Sequence, residues 1–214
     1  MQFGIIGSGS WGTALAKMLT DNGMHINWCV RSENILDHIL RRHHNPNYLT
    51  SVSFDTGFLS LSVDPATVIH QSDHIVIVTP SAFVARQFSG ISQKDLEGKK
   101  IISAVKGMLP EHNQLLNDYL QSVFKFSIGN YFTIMGPCHA EEVAAERLSY
   151  LTFSGIEATA IEKIASAFAT PYINTIINTD IYGVQYAAIL KNIYAVASGI
   201  AHGIGYGDNF LSVL

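Results

Sequence analysis

Short apolar runs alternate with segments of helical periodicity along most of the chain, an order that predicts βα units around a mainly parallel sheet. Residues 3–6 form the first run. It breaks at Gly7, and beyond the break Leu15, Met18 and Leu19 fall on one helical face until Gly23 offers a stop. Residues 25–30 put Ile26, Trp28 and Val30 on one side of a second strand, and 59–63 read as a weaker third. Residues 73–78 make a continuous run of the kind that a strand covered on both faces requires. Runs at 100–105, 131–135, 148–153 and 173–177 complete the set, with helices between most of them. The pattern then changes. Asn178, Thr179 and Asp180 are capping residues ahead of a long helix starting near Ile181, and the apolar stretch 182–204 reads as a buried helix. A glycine-rich break at 203–209 precedes what looks like another helix at 210–214.

The first break, Gly7-Ser8-Gly9-Ser10-Trp11-Gly12, has the spacing of a dinucleotide-binding loop and lies where one belongs, between a strand and a helix. Gly7 lets the strand turn sharply, Gly9 lets the backbone approach a pyrophosphate, and Gly12 lets the helix pack near the strand. The N–H groups of the first helical turn would face the phosphates. Glycine-rich loops also occur as plain turns, so the setting carries this reading. It predicts an α/β fold, a Rossmann-like doubly wound, mainly parallel sheet over residues 1–180. The first helices of an all-α domain, left incomplete, would follow over 181–214.

In open α/β sheets ligands collect beyond the carboxyl ends of the strands. The Gly7 loop, Thr79-Pro80-Ser81, Lys106-Gly107 and Gly136-Pro137-Cys138 each follow a predicted strand, so all of them should rim one crevice.

Composition narrows the function classes. The chain has 214 residues, 48% hydrophobic and 14% charged, with a net charge of −4, so it can bury a sizeable core and has no general attraction to nucleic acid or an anionic membrane. Gln185, Lys191, Asn192 and His202 interrupt the apolar stretch 182–204 and argue against a membrane span. The N-terminus runs straight into a strand, so no signal peptide is expected and a cytoplasmic location follows. Cys29 and Cys138, the 2 cysteines, lack zinc spacing and suggest free thiols in a reducing compartment. His43 and His44 are the one adjacent pair among 9 scattered histidines, so no metal site is expected.

Three cations stand out as candidates for chemistry. Lys191 lies in YAAILKNIYAVASGIA, where helical spacing aligns it with Ala195, Ser198 and His202 as a polar line on a greasy helix. Buried beside a cofactor it would serve as general acid or base; the alternative is a lysine that snorkels to solvent. Lys106 ends a strand on the presumed crevice, a place suited to an anion or a carbonyl oxygen. Arg31 ends the second strand, where an acid would bind the ribose 2′-hydroxyl of NAD; arginine suits the 2′-phosphate of NADP, although Glu33 lies two residues on.

GSGSWGTALA, VKGM, GPCHAEEVA and GVQYAAILKNIYAVASGIAHGIGYGDN together resemble bacterial-type NAD(P)-dependent glycerol-3-phosphate dehydrogenase over the whole chain. The resemblance implies reduction of dihydroxyacetone phosphate to sn-glycerol 3-phosphate with NADP or NAD, feeding phospholipid synthesis. It implies cofactor contacts from Ser10, Trp11, Arg31, Lys106 and Ala140 besides the loop glycines Gly7, Gly9 and Gly12. Substrate contacts would come from Lys106, Gly136, Cys138 and Lys191, with Lys191 the proton donor. The partner is a phosphorylated triose, and a homodimer is left open. Two departures matter. Cys138 stands where the family usually has Thr or Ser, and a thiol is the poorer hydrogen-bonding group. Family members also continue into a further helical domain carrying an Asp near the lysine and an Arg-Asn pair for the substrate phosphate. The 214-residue chain alone is therefore expected to bind cofactor and turn over poorly. A β-hydroxyacid dehydrogenase, or a nicotinamide-binding redox sensor without chemistry, are the alternative readings.

Overall fold

The computed structural model describes residues 1–213. Its strands are β1 (Phe3–Ile6), β2 (Ile26–Cys29), β3 (Leu59–Ser62), β4 (His74–Ile77), β5 (Lys100–Ser103), β6 (Tyr131–Met135), β7 (Ser149–Ser154) and β8 (Ile173–Asn178). They form one sheet in the order β3-β2-β1-β4-β5-β6-β7-β8. The first six run parallel, β7 runs antiparallel to β6, and β8 runs parallel to β7. The order reverses between β1 and β4, and that switch point is where a doubly wound sheet opens a crevice.

Helices α1 (Ser10–Asp21), α2 (Glu33–Arg42), α3 (Pro65–His70), α4 (Ser81–Gln87), α5 (Leu116–Phe124), α6 (Ala140–Ala144) and α7 (Ala158–Phe168) cover the sheet from both sides. On one face Phe3, Ile5, Trp28, Val76, Ile102 and Phe153 pack with Leu15, Met18 and Leu19 of α1 and Phe168 of α7. On the other, Ile6, Ile75, Ile77, Ile101 and Tyr131 meet Val68 of α3, Val84 of α4 and Leu120 of α5. β1, β2, β4 and β6 are consequently buried along their whole length, which explains their largely apolar sequences, with Asn27, His74 and Thr133 as buried polar exceptions. Phe168 joins two strands by aromatic contact, 5.6 Å from Phe3 and 5.4 Å from Phe153 between ring centres.

The long helix α8 (Ile181–Gly203) starts where the capping residues place it, with Asp180 Oδ1 accepting from Gly183 N at 2.7 Å. Its expected burial is not found. Of the α8 residues only Ile181, Gln185 and Ala201 are buried, whereas Tyr186, Leu190, Ile193, Tyr194, Val196 and Ile200 are exposed. A helix apolar on nearly every side needs cover on more than one side, and α8 packs on the sheet chiefly through β6. A short α9 (Asp208–Leu211) follows the glycine-rich break. Among the described residues no helix is long and apolar enough to cross a membrane.

The lysine that is buried is Lys17, on α1. Its Nζ donates to Asp21 Oδ2 at 2.5 Å and to Glu146 Oε1 at 3.0 Å, while Tyr172 Oη donates to the same Asp21 oxygen at 2.6 Å. Burial works to lower its pKa, but the bonds to Asp21 and Glu146 outweigh that and hold the ammonium well above the usual lysine range. This four-residue cluster ties the far end of α1 to the turn after α6 and to the residue preceding β8.

His74 on β4 is buried against Phe3, and its Nδ1 has no hydrogen-bond partner. Burial, helped by Lys100, pushes its pKa down from 6.5 to about 4. The unfolded chain therefore binds the extra proton first as pH falls, so stability is fully present above pH 6.5 and declines toward pH 4. The slope from this one group reaches at most about 1.4 kcal/mol per pH unit. In urea unfolding at pH 7.5 and pH 5, the loss on acidification should shrink in His74→Phe; an unchanged loss would remove His74 as a source.

Candidate active site

The glycine-rich loop closes β1 and opens α1. Gly7 has φ +130°, and a Cβ there would sit 3.0 Å from the Val78 backbone, so only glycine makes this turn. At Gly12 a Cβ would fall 2.2 Å from the Gly7 carbonyl oxygen, which lets α1 begin tight against the strand end. Gly9 is the opposite case, with nothing within 4 Å of its Cβ position. It caps α1 without a side-chain bond, and the first helical hydrogen bond runs from Thr13 N to Gly9 O at 2.9 Å. The N–H groups of the first turn are therefore left without helical partners, and the flank of the loop at Gly9 is open.

This loop floors a cavity of about 1010 Å³. Gly7, Gly9 and Trp11 line it with Arg31 from the end of β2, Thr79, Pro80 and Ser81 from the end of β4, and Lys106 beyond β5. A second recess of about 360 Å³ is lined by Gly136, Pro137, Thr152, Asn178, Lys191 and Asn192, again with Lys106. Three of the four strand-end loops thus rim the large cavity, the fourth lines the recess, and Lys106 belongs to both. Every charged side chain lining either space is cationic: Arg31, Arg86 and Lys106 in the first, Lys106 and Lys191 in the second. Glu33, two residues from Arg31, lines neither.

Lys191 is exposed, not buried, yet it lines the recess together with Lys106. The polar line that was to run with it does not converge there, since Ser198 and His202 line neither space. What fixes Lys191 is the start of its helix. Gln185 Oε1 accepts from Tyr131 Oη on β6 at 3.0 Å, and its Nε2 donates to Asn117 Oδ1 on α5 and to Ile181 O, each at 3.0 Å. Tyr182 Oη donates to Asp118 Oδ1 at 3.1 Å. Burial pushes the Tyr131 phenol up, so it remains a neutral donor to Gln185.

The remaining candidates lie around this centre. Ser10 is half-buried at the first position of α1 and Gly12 is sealed against Gly7; Ala140 is buried at the start of α6, and none of the three lines a cavity. Cys138 lines neither space. Its Sγ–H donates to Tyr150 O at 3.0 Å, and burial pushes the thiol up, so it remains protonated. Tyr48, Arg86 and Asn192 line the site without having been singled out in the sequence. Tyr48 follows an Asn-Pro turn and Arg86 lies in the last turn of the short α4, and neither position carries a spacing signal.

The chain matches two family models, described as NAD-dependent glycerol-3-phosphate dehydrogenase N-terminus over residues 2–160 and C-terminus over residues 180–214. The glycerol-3-phosphate dehydrogenase (NAD(P)+) of Streptococcus equi subsp. zooepidemicus is 32% identical over 210 residues, covering 96% of this chain and 60% of that protein. The same enzyme of Streptococcus pyogenes serotype M6 is also 32% identical, covering 96% of this chain and 61% of its own length. The chain thus spans about three fifths of the curated relatives that it matches. Among solved structures, glycerol-3-phosphate dehydrogenase from Coxiella burnetii superposes with a TM-score of 0.87 at 24% identity, over 99% of this chain and 64% of that one. The Saccharomyces cerevisiae enzyme superposes with a TM-score of 0.83 at 24% identity, over 100% of this chain and 66% of that one. These two likenesses establish the shared fold.

Proposed function

The chain belongs to the NAD-dependent glycerol-3-phosphate dehydrogenase family, and on that premise we propose that it carries the cofactor site and part of the substrate site of an enzyme interconverting dihydroxyacetone phosphate and sn-glycerol 3-phosphate. The observation that carries this reading is that Lys106 and Lys191 line one acid-free recess, and that Lys106 also lines the cavity floored by the glycine-rich loop. A phosphorylated triose is anionic and its reduction builds negative charge on the C2 oxygen, so two lysines lining the recess suit both. Bound NAD(P)H supplies the hydride. Lys191 gives a proton to the developing alkoxide, and Lys106 holds the charge while it forms. The loop's N–H groups hold the pyrophosphate, Trp11 walls the cavity, and the Gly136 backbone borders the substrate.

Residues 1–180 serve in this reading as the dinucleotide-binding domain and 181–214 begin a helical substrate domain. The exposed apolar face of α8 and the greater length of the relatives support that division. Further helices would cover that face, and a second copy of the chain is the other partner to test. The location would be cytoplasmic. The test is turnover of sn-glycerol 3-phosphate against 3-hydroxy acids in a form with the relatives' full length, followed by nicotinamide absorbance. Turnover of the hydroxy acids alone rejects the substrate.

Arg31 and Arg86 line the large cavity and Glu33 does not, which favours NADP over NAD. Arg31→Asp should move the ratio of NADPH to NADH affinity at least ~10-fold toward NADH, because a charge-assisted contact to the 2′-phosphate is exchanged for a repulsion. Fluorescence titration with both cofactors measures it; an unmoved ratio refutes a role for Arg31 in that choice.

A further inference from the structure

Behind the glycine-rich loop, three side chains donate to three successive carbonyls. Trp28 Nε1 donates to Gly7 O at 2.9 Å, Asn45 Nδ2 to Ser8 O at 3.0 Å, and Thr13 Oγ1 to Gly9 O at 2.9 Å. The donors are themselves linked, because Asn45 Nδ2 also donates to Thr13 Oγ1 at 2.9 Å. Asn45 is held in turn by an Asx turn in which its Oδ1 accepts from Asn47 N at 3.0 Å. All three side chains are fully buried and none lines the cavity.

A trans peptide is planar, with its carbonyl and N–H pointing in opposite directions. Drawing the oxygens of Gly7, Ser8 and Gly9 toward the core therefore turns the N–H groups of Ser8, Gly9 and Ser10 away from it. Ser8 and Gly9 line the large cavity, so their N–H groups are presented along its floor as a preformed anion nest, with the Ser10 N–H at its edge as the first free donor of α1. Without the three donors, the peptides of a loop this rich in glycine would be free to flip and would have to be ordered when the ligand binds.

We propose that Trp28, Asn45 and Thr13 are positioning residues for the cofactor pyrophosphate, acting through the loop backbone and not touching the ligand. This rests on the reading of the large cavity as the dinucleotide site. It adds three residues that no motif connects, brought together from α1, β2 and the loop after α2.

Thr13→Val preserves side-chain shape while deleting the hydroxyl that joins Gly9 to Asn45; Thr13→Ser restores it. Calorimetric titration of the 214-residue chain should give NADPH binding weakened about tenfold in Thr13→Val and returned to within about threefold of the unchanged chain in Thr13→Ser. Adenosine 2′-phosphate, which lacks the pyrophosphate, should bind the unchanged chain and Thr13→Val alike, a separation that a general loss of structure would not produce. Trp28→Phe removes the bond to Gly7 alone and is the second variant should Thr13→Val not fold. NADPH affinity equal to that of the unchanged chain in the folded variants, or equal losses for both ligands, overturns the proposal. Failure of the unchanged chain to bind any nicotinamide dinucleotide instead overturns the reading of the cavity.

Discussion

Replacing Lys191 by alanine, in a form with the full length of the relatives, is expected to lower kcat for dihydroxyacetone phosphate reduction at least ~100-fold and leave NADPH affinity within about twofold. The asymmetry follows from where the residue stands. Lys191 lines only the smaller recess, on a helix held by Gln185 and Tyr182, while the large cavity is built without it. Lys106 would still offset charge on the oxygen, but the proton would have to come from water. Lys191→Arg separates the two contributions, since arginine keeps the positive charge and does not release a proton near neutral pH. Steady-state kinetics should place Lys191→Arg close to Lys191→Ala. Activity near that of the unchanged enzyme in the arginine variant would assign Lys191 to charge alone, and full activity in the alanine variant would remove it from the mechanism.

Most of the sheet was legible because strands covered on both faces, such as β1 and most of β4, read as near-continuous apolar runs, while β2 showed through the alternation of Ile26 and Trp28 about the buried Asn27. The reversal at β7 was not, because apolar patterning records which faces are covered and not the direction of the chain. Burial of α8 was misjudged for a related reason. An apolar segment states that cover is wanted, whereas the cover itself comes from other parts of the fold.

The lysines show the same limit at the level of one side chain. Lys191 has greasy neighbours in sequence and is exposed; Lys17 is buried because its partner Glu146 comes from the distant turn after α6. Among the residues that line the two spaces, Gly7 and Gly9 were legible from the motif spacing, and Lys106 and Gly136 from the strand-end rule. Asn45 escaped, because its contacts with Ser8 and Thr13 join parts of the chain more than thirty residues apart.

Adding one methyl group to the loop should have opposite consequences at its second and third glycines. In Gly12→Ala the new Cβ meets the Gly7 carbonyl oxygen at 2.2 Å and its carbon at 2.9 Å, both backbone atoms that cannot swing aside. The helix must move off the strand end, so urea unfolding should show a loss of about 1–3 kcal/mol or more, and cofactor binding should be lost with it. In Gly9→Ala the methyl enters open space at an extended φ of −76°, and only the weaker capping preference of alanine remains, less than about 1 kcal/mol. The flank it fills is the one the pyrophosphate must approach, so NADPH affinity should fall at least ~10-fold in a protein that unfolds almost normally. Stability and binding are thus coupled at Gly12 and separated at Gly9. Undiminished NADPH affinity in Gly9→Ala would mean that the phosphates lie elsewhere, and a normal unfolding midpoint in Gly12→Ala would mean that α1 does not need its close seat on β1.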